Sequence, residues 1–232
     1  MQIFYTPDIA IKPELPEEEA GHCIRVLRLG EGDEIVLTDG QGSFYKAAIS
    51  RAHPKHCEVT LLESWKQPDL WNFNLHKAIA PTKNMDRMEW FVEKATEIGI
   101  NAITCLNCRF SERKEIKTIR WEKILVSAMK QSQKSTLPAV EGMTDFKKFV
   151  ATPFDGRKFI AHCEEGEKPL LKHTYQPGEN ALILIGPEGD FSPEEIKLAQ
   201  ENGFEPISLG ESRLRTETAA LVACHTIHVL NQ

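Results

Sequence analysis

The sequence has no hydrophobic run that approaches the length needed to span a bilayer. Its N-terminus, MQIFYTPDIAIKPELPEEE, has neither the basic start nor the long apolar stretch of a secretory signal. We therefore expect no membrane partner and a cytoplasmic location. Hydrophobic residues make up 41% and charged residues 27% of the 232 positions, which is typical of a globular protein with a sizeable core.

Nucleotide fingerprints and metal-binding patterns are also missing. No strand candidate is followed by G-x-G-x-x-G, and the chain contains no P-loop, which disfavours a nicotinamide enzyme on a doubly wound sheet. The six cysteines do not have the spacing of a disulfide framework. Cys105 and Cys108 form the only C-x-x-C pair, and a lone pair lacks the four ligands of a structural zinc site. We therefore predict no metal.

The chain also has no overall excess of basic residues, since its formal net charge is −6. The charge is uneven, however: residues 71–150 carry 14 basic and 9 acidic side chains, whereas the segments on either side are acidic. Eight of these basic residues lie between Arg109 and Lys134. Such a segment can supply phosphate contacts to RNA, although a solvated helical face has the same composition.

Two different patterns divide the chain into predicted domains at 1–68 and 69–232. The first contains short alternating segments, among them a hairpin with its turn at Asp39–Gly42, and this pattern favours a small β-barrel. Residues Glu63–Asp69 are the predicted linker. The second contains helices between five strand candidates, which are 75–80, 100–106, 158–163, 181–185 and 206–209. That alternation predicts an α/β domain with a parallel sheet.

Residues 181–219 carry the clearest local signals. The unbroken apolar run Ala181–Ile185 predicts a strand buried on both faces, and Gly186-Pro187-Glu188-Gly189 predicts a turn directly after it. Ser192-Pro193-Glu194-Glu195 has the form of a capping box at a helix start. A second strand, loop and helix follow, with the last helix beginning near Thr216. Ligands of open α/β sheets bind at such strand ends, although both loops can equally be plain connections.

Four blocks of sequence, in order along the chain, resemble one family. They are His22 with Val26-Leu27-Arg28, Gly32-Asp33 and Asp39-Gly40-x-Gly42; KATEIG at 94–99; Gln131-Ser132 with Leu137-Pro138; and GPEGDFS with LGESRLRTETA near the C-terminus. Together they resemble the RsmE family, the ribosomal RNA small-subunit methyltransferases of the SPOUT superfamily. The match spans most of the chain.

The resemblance implies a fold and an activity. The fold would be an RNA-binding PUA-like β-barrel at 1–68, followed at 69–232 by an α/β SPOUT domain whose parallel sheet ends in a C-terminal trefoil knot. The activity would be the S-adenosylmethionine-dependent methylation of uridine N3 in 16S ribosomal RNA, which gives 3-methyluridine near the decoding site. The partner would be 16S rRNA within the small ribosomal subunit. Nothing in the periodicity of the sequence predicts the knot.

The resemblance also implies the cofactor site, in three strand-end loops. The candidate cofactor-binding residues are His162, Leu184, Ile185, Gly186, Pro187, Glu188, Gly189, Leu209, Gly210, Leu214 and Thr216. Methylation at uracil N3 requires removal of a weakly acidic proton and stabilisation of charge on the ring oxygens. Glu217 is the candidate proton acceptor and Arg215 the candidate stabiliser. Alternatively, the two side chains pair at the helix start and only fix the loop.

Six basic residues are the candidates for RNA binding: Arg25, Arg28, Arg113, Lys114, Lys117 and Lys134. The sequence departs from the family pattern at three places. Asp190 stands where the family usually has glycine, Lys134 stands where it has arginine, and Ser212-Arg213 replace R-I. The third departure leaves open whether Arg213 or Arg215 faces the substrate.

Two other function classes remain, together with a prediction about assembly. SPOUT enzymes that methylate a ribose 2′-hydroxyl carry an Asn-x-Gly motif, whereas the corresponding helix here ends in Glu97-Ile98-Gly99. A non-catalytic RNA-binding or ribosome-assembly protein would have no need of the GPEG and LRTETA loops. The last predicted helix, Thr216–Leu230, is apolar around more of its circumference than one buried stripe requires, which predicts a homodimer.

Overall fold

The computed structural model describes residues 2–232, and these form two compact units, each with its own sheet. One unit comprises the chain up to Leu70 together with Val126–Leu137. The other comprises Trp71–Leu125 and Pro138–Gln232. Because the units are not continuous in sequence, they do not test a boundary after residue 68, which stays a prediction.

The first unit contains a four-stranded sheet. In sheet order its strands are β1 (Ile3–Tyr5), β2 (Glu34–Thr38), β3 (Ser43–Arg51) and β4 (Glu58–Lys66). β1 runs parallel to β2, and the other neighbours are antiparallel. Helix α1 (Glu17–Gly21) and a π-helical turn (His22–Val26) lie between β1 and β2 in sequence. No ladder joins β1 to β4 among the described residues, so closure into a barrel stays a prediction.

The predicted hairpin is confirmed, but the predicted linker is partly wrong. The carboxylate of Asp39 accepts hydrogen bonds from the main-chain N–H groups of Gln41 at 2.7 Å and Ser43 at 3.1 Å, which fixes the turn between β2 and β3. β4 continues through Lys66, into the segment that we expected to be a linker. The longer strand is held by cross-strand pairs such as Phe44 with Trp65, whose ring centroids lie 5.7 Å apart.

The second unit contains a six-stranded parallel sheet, which confirms the predicted fold class. In chain order its strands are β5 (Leu75–Ile79), β6 (Ala102–Asn107), β7 (Ala139–Asp145), β8 (Arg157–Ala161), β9 (Ala181–Ile185) and β10 (Glu205–Ile207). The sheet order is β10-β8-β9-β5-β6-β7, and every neighbouring pair is parallel. β9 is buried along its whole length, as its apolar sequence predicts. The predicted knot stays a prediction.

Six α-helices follow α1 among the described residues. They are α2 (Met85–Ile98), α3 (Thr118–Gln131), α4 (Phe146–Val150), α5 (Leu171–Thr174), α6 (Pro193–Glu201) and α7 (Thr216–Leu230). Asn84 caps α2 by accepting from the N–H groups of Asp86 and Arg87. Ser192 and Glu195 form the predicted capping box of α6, with Pro193 as its first residue. These caps fix the direction in which each helix leaves its loop.

One strand of the second unit was not predicted. β7, with the sequence AVEGMTD, is half-exposed and contains a glycine, so it lacks the apolar run that indicates a buried strand. It forms because the main chain of β6 provides a parallel partner at the edge of the sheet. In the part of the chain that the structure describes, no helix is long and apolar enough for a membrane crossing, and no cluster of three or more His, Cys, Asp or Glu side chains is arranged to hold a metal.

Candidate functional site

A cavity of about 490 Å³ opens in the second unit at the carboxyl ends of β8 and β9. The start of α7 closes one side, and Arg87 of α2 reaches it from another. It is lined by Arg87, Ala161, Cys163, Ile185, Gly186, Pro187, Glu188, Gly189, Asp190, Arg213, Leu214, Arg215, Thr216, Glu217 and Ala219. This is the position at which parallel sheets bind ligands, because several strand-end loops meet there.

The loop after β9 turns tightly because of its composition. The N–H group of Asp190 donates to the carbonyl of Pro187 at 2.9 Å, which closes the turn. A Cβ atom on Gly186 would lie 3.1 Å from the ring of Phe191 and 3.2 Å from the carboxylate of Asp190. A side chain at residue 186 would therefore require the buried Phe191 ring or the Asp190 carboxylate to shift by a few tenths of an ångström. Glycine keeps the turn closed and leaves its main chain at the surface of the cavity.

Asp190 explains one departure from the family pattern. Its φ angle is 64°, in the left-handed region that glycine adopts freely and that aspartate tolerates better than most residues. Its carboxylate also accepts hydrogen bonds from the N–H groups of Cys163 at 2.6 Å and Phe191 at 2.8 Å. Aspartate therefore takes the backbone conformation of a glycine and in addition ties the loop after β8 to the loop after β9.

The loop after β10 leads into α7 and brings three charged residues to the cavity. Arg215 immediately precedes the helix, without a side-chain cap, and both Arg213 and Arg215 are exposed at the cavity wall. Thr216 and Glu217, in the first helical turn, are buried. The two candidate catalytic side chains, Arg215 and Glu217, thus line one cavity, and Arg213 lines it with them.

Glu217 has a partner that the sequence prediction missed. Its side chain is only 8% exposed, and its Oε1 lies 4.0 Å from Nε of Arg87, which is itself about half-exposed. Arg87 stands in the first turn of α2, at the carboxyl end of β5, the neighbour of β9 in the sheet. That position in a strand-loop-helix unit was the available signal, because ligands of parallel sheets bind at strand ends.

Seven of the eleven candidate cofactor residues line the cavity: Ile185, Gly186, Pro187, Glu188, Gly189, Leu214 and Thr216. The other four, His162, Leu184, Leu209 and Gly210, are not part of its wall. Leu184 is buried in the core of β9. His162 lies between two lining residues, Ala161 and Cys163, and its Nδ1 is buried without a hydrogen-bond partner in the described structure. Burial and the nearby Lys168 lower the pKa of His162.

The candidate RNA-binding residues differ in what they are free to contact. Arg25 and Arg28 are exposed beside the π-helical turn of the first unit, and Lys117 is exposed before α3. Arg113 donates to the carbonyl oxygens of Thr82 at 3.3 Å and Lys83 at 2.9 Å, and Lys114 donates to Asn107 at 3.1 Å. These two side chains therefore hold loops together.

Lys134 is the exception among these candidates. It is 8% exposed, which leaves too little of the side chain at the surface for a phosphate contact. We leave Lys134 out of the proposed RNA surface for that reason.

Comparison with known proteins gives matches over nearly the whole chain. Residues 69–228 match a family described as "RNA methyltransferase domain", and residues 15–62 match "RNA methyltransferase PUA domain". Ribosomal RNA small subunit methyltransferase E from Synechocystis is 31% identical over 216 residues, which cover 89% of this chain and 69% of the relative.

Two solved structures are similar in both sequence and fold. A probable rRNA-methyltransferase from Porphyromonas gingivalis is 45% identical, with a TM-score of 0.94, and the match covers 100% of this chain and 98% of that one. Ribosomal RNA small subunit methyltransferase E from Neisseria gonorrhoeae, bound to S-adenosyl methionine, is 26% identical, with a TM-score of 0.87 and coverage of 99% and 98%.

Proposed function

Because the chain belongs to the RsmE family of ribosomal RNA small-subunit methyltransferases, we propose that it methylates N3 of a uridine in 16S ribosomal RNA, with S-adenosylmethionine as donor. The observation that carries the proposal is the cavity in which the GPEG turn and the LRTETA segment meet around a buried carboxylate. Residues 1–68 would bind RNA and residues 69–232 would carry the site, within a homodimer whose second domain is knotted. The proposed partner is 16S rRNA within the small subunit. The predicted cytoplasmic location is also part of the proposal.

The lining of the cavity fits S-adenosylmethionine. A volume of about 490 Å³ lies within the range of small-molecule sites. Its wall combines apolar side chains, such as Ile185 and Leu214, with the exposed main chain of two loops. Main-chain N–H and C=O groups can hydrogen-bond to the edge of an adenine and to ribose hydroxyls. The unpartnered Nδ1 of His162 adds a polar atom beside the wall.

When bound, S-adenosylmethionine supplies a methyl group that its sulfonium already activates. The protein must then orient the uracil, exclude water and remove the N3 proton. Glu217 is the proposed acceptor of that proton at a carboxylate oxygen, because it is the buried carboxylate of the wall. Arg215 is the proposed stabiliser of charge on the uracil oxygens. Arg87 would keep the Glu217 carboxylate oriented from 4.0 Å away.

The test uses small subunits and free 16S rRNA from a strain that lacks the protein. Each is incubated with the purified protein and S-adenosylmethionine, and nucleosides are then identified by mass spectrometry. We expect 3-methyluridine in at least one substrate, and the more active one identifies the physiological form. Methyl groups on ribose would indicate the 2′-hydroxyl activity instead. No methylation of either substrate would favour the RNA-binding assembly protein.

A further inference from the structure

Phe110 is a large apolar side chain at the edge of the cavity that the proposed chemistry does not use. It lies in the loop between β6 and α3 and is 47% exposed. A Cβ atom on Gly189 would lie 3.2 Å from the Cβ of Phe110, so Phe110 packs directly on the turn that lines the cavity. Phe110 is not itself part of the cavity wall. Its exposed side chain therefore lies against Gly189, a lining residue of the cavity.

The loop that carries Phe110 is held firmly in place. The N–H group of Cys108 donates to the hydroxyl of Ser111 at 3.0 Å, and the N–H group of Ser111 donates to the carbonyl of Cys108 at 3.1 Å. The N–H group of Arg109 donates to the buried carboxylate of Glu195 at 2.8 Å, which links the loop to the start of α6. An exposed aromatic ring on a fixed loop is suited to binding, because little conformational entropy is lost when a ligand contacts it.

One basic side chain lies over this ring. The guanidinium carbon of Arg109 lies 5.6 Å from the centre of the Phe110 ring, and the same exposed guanidinium pairs with Glu194 at 3.1 Å. Lys117 is exposed later in the same loop. Aromatic rings bordered by basic side chains are a usual way to bind single-stranded RNA, with bases stacked on the ring and phosphates near the charges. The surroundings of Phe110 therefore match an RNA base better than an apolar peptide.

We propose that Phe110 is a stacking platform for the nucleotide that flanks the target uridine. This inference rests on the proposed function and adds the way in which the RNA is held. N3 lies on the pairing edge of uracil, so the target base must be unpaired and turned into the site. When the target uracil turns into the cavity, the flanking base loses the uracil as its stacking partner. Phe110 lies outside the cavity wall, where it can contact that flanking base. Stacking that base on the ring keeps the strand open while the uracil occupies the cavity.

The first experiment compares Phe110→Ala, Phe110→Trp and Ile119→Ala. Ile119 is also an exposed apolar residue, at the start of α3, and serves as the matched control. We expect Phe110→Ala to raise the KM for RNA about 10-fold, in line with the loss of one stacked base. Phe110→Trp should keep the wild-type KM, because its ring also stacks. Affinity for S-adenosylmethionine should be the same in all variants. A KM for Phe110→Ala equal to that of Ile119→Ala would overturn the proposal.

The second experiment does not depend on catalysis. A 16S rRNA fragment containing the target site carries 5-iodouridine at the flanking position, and the complex with S-adenosylhomocysteine is irradiated. Iodouracil cross-links efficiently to a stacked aromatic side chain, so we expect a cross-linked peptide containing Phe110. A cross-link formed only at other residues would overturn the stacking role. Wild-type protein that cross-links at Phe110 but does not methylate would refute the proposed activity and keep the RNA contact.

Discussion

Glu217 combines burial with a place at the cavity wall, and this combination predicts its mutant phenotype. We expect Glu217→Gln to lower kcat at least about 100-fold, because an amide cannot take up the N3 proton. Affinity for S-adenosylmethionine should be unchanged, since the amide occupies the same volume. Single-turnover methylation and calorimetry measure the two quantities. Glu211→Gln, which changes an exposed acid in the loop that leads into α7, is the control. A Glu217→Gln enzyme with a near-normal rate would reduce Glu217 to a loop-fixing role.

Lys77 is the residue with the clearest predicted effect on stability. It lies fully buried in β5, its Nζ has no hydrogen-bond partner among the described residues, and burial lowers its pKa to about 7. The unfolded chain keeps this proton up to a pKa near 10.5. Between pH 7 and 10.5 the unfolded state therefore binds more protons, and this group makes the wild type more stable as pH rises.

The substitution Lys77→Met should remove that pH dependence. We expect it to raise the free energy of unfolding by about 3 kcal/mol or more at pH 6, since a pKa difference of 1 corresponds to about 1.4 kcal/mol. The gain should shrink steadily towards pH 10. Denaturant unfolding at fixed protein concentration, with the exposed Lys66→Met as control, measures both effects. A gain that is constant from pH 6 to pH 10 would mean that the folded protein keeps this proton throughout, as the unfolded chain does.

At the scale of elements, Asp190 joins two strand-end loops, and its replacement should open the cavity. Asp190→Ala leaves the N–H groups of Cys163 and Phe191 without their acceptor, and hydrogen bonds to charged groups contribute about 1.5–3 kcal/mol each. Alanine is also less tolerant of the left-handed backbone at this position. We expect S-adenosylmethionine to bind at least about 10-fold more weakly by calorimetry.

Asp190→Asn provides the comparison for that prediction. Asparagine tolerates the same backbone conformation and keeps one amide oxygen as acceptor, so its affinity should lie between those of the wild type and Asp190→Ala. Equal affinity in all three proteins would show that the two loops hold their positions without the carboxylate.

Elements with local signals could be predicted, and elements that depend on a neighbour could not. The cap at Ser192 and the apolar run of β9 are encoded within a few residues each, and both form as expected. β7 depends on its partner β6, and the extension of β4 depends on pairing with β3. Short-range sequence patterns carry no trace of such pairing.

The same distinction applies to the site. The rule that ligands bind at strand ends brought the loops after β9 and β10 into consideration, and the resemblance to the RsmE family added the loop after β8. Arg87 was missed because its contact with Glu217 joins residues far apart in sequence. The structural role of Asp190 could not be predicted either. Its φ of 64° and the hydrogen bonds that its carboxylate accepts from Cys163 and Phe191 depend on the tertiary structure.

At the scale of the whole molecule, the structure uses most of the basic segment internally. Ion pairs between described residues join Arg109 to Glu194, Arg120 to Glu89 and Lys130 to Glu19. Arg113 and Lys114 hold loops, and Lys134 is buried. For a chain of net charge −6, affinity for RNA must then depend on a few exposed cations and on contacts with bases, such as that proposed for Phe110.

Helix α7 predicts the assembly state. Ala220, Ala223, Cys224 and Ile227 are buried on one side of the helix. On the opposite side, Val222 is half-buried and Val229 is 51% exposed, and a separation of seven residues places these two on a common face. An apolar second face on the last helix is stabilised when another subunit covers it. Helix α2 packs against α7. It buries Phe91 and carries a further exposed apolar side chain, Trp90.

We expect sedimentation at micromolar concentration to give about twice the mass of one chain. Replacing both Val222 and Val229 with Glu should give monomers, because two buried like charges per subunit at a symmetric interface repel each other and lack partners. Val26→Glu, an exposed valine of the first unit, is the matched control and should remain dimeric. The double variant should keep its fold by circular dichroism, since neither valine belongs to the core. A wild-type protein that sediments as a monomer and still methylates rRNA would contradict the predicted homodimer.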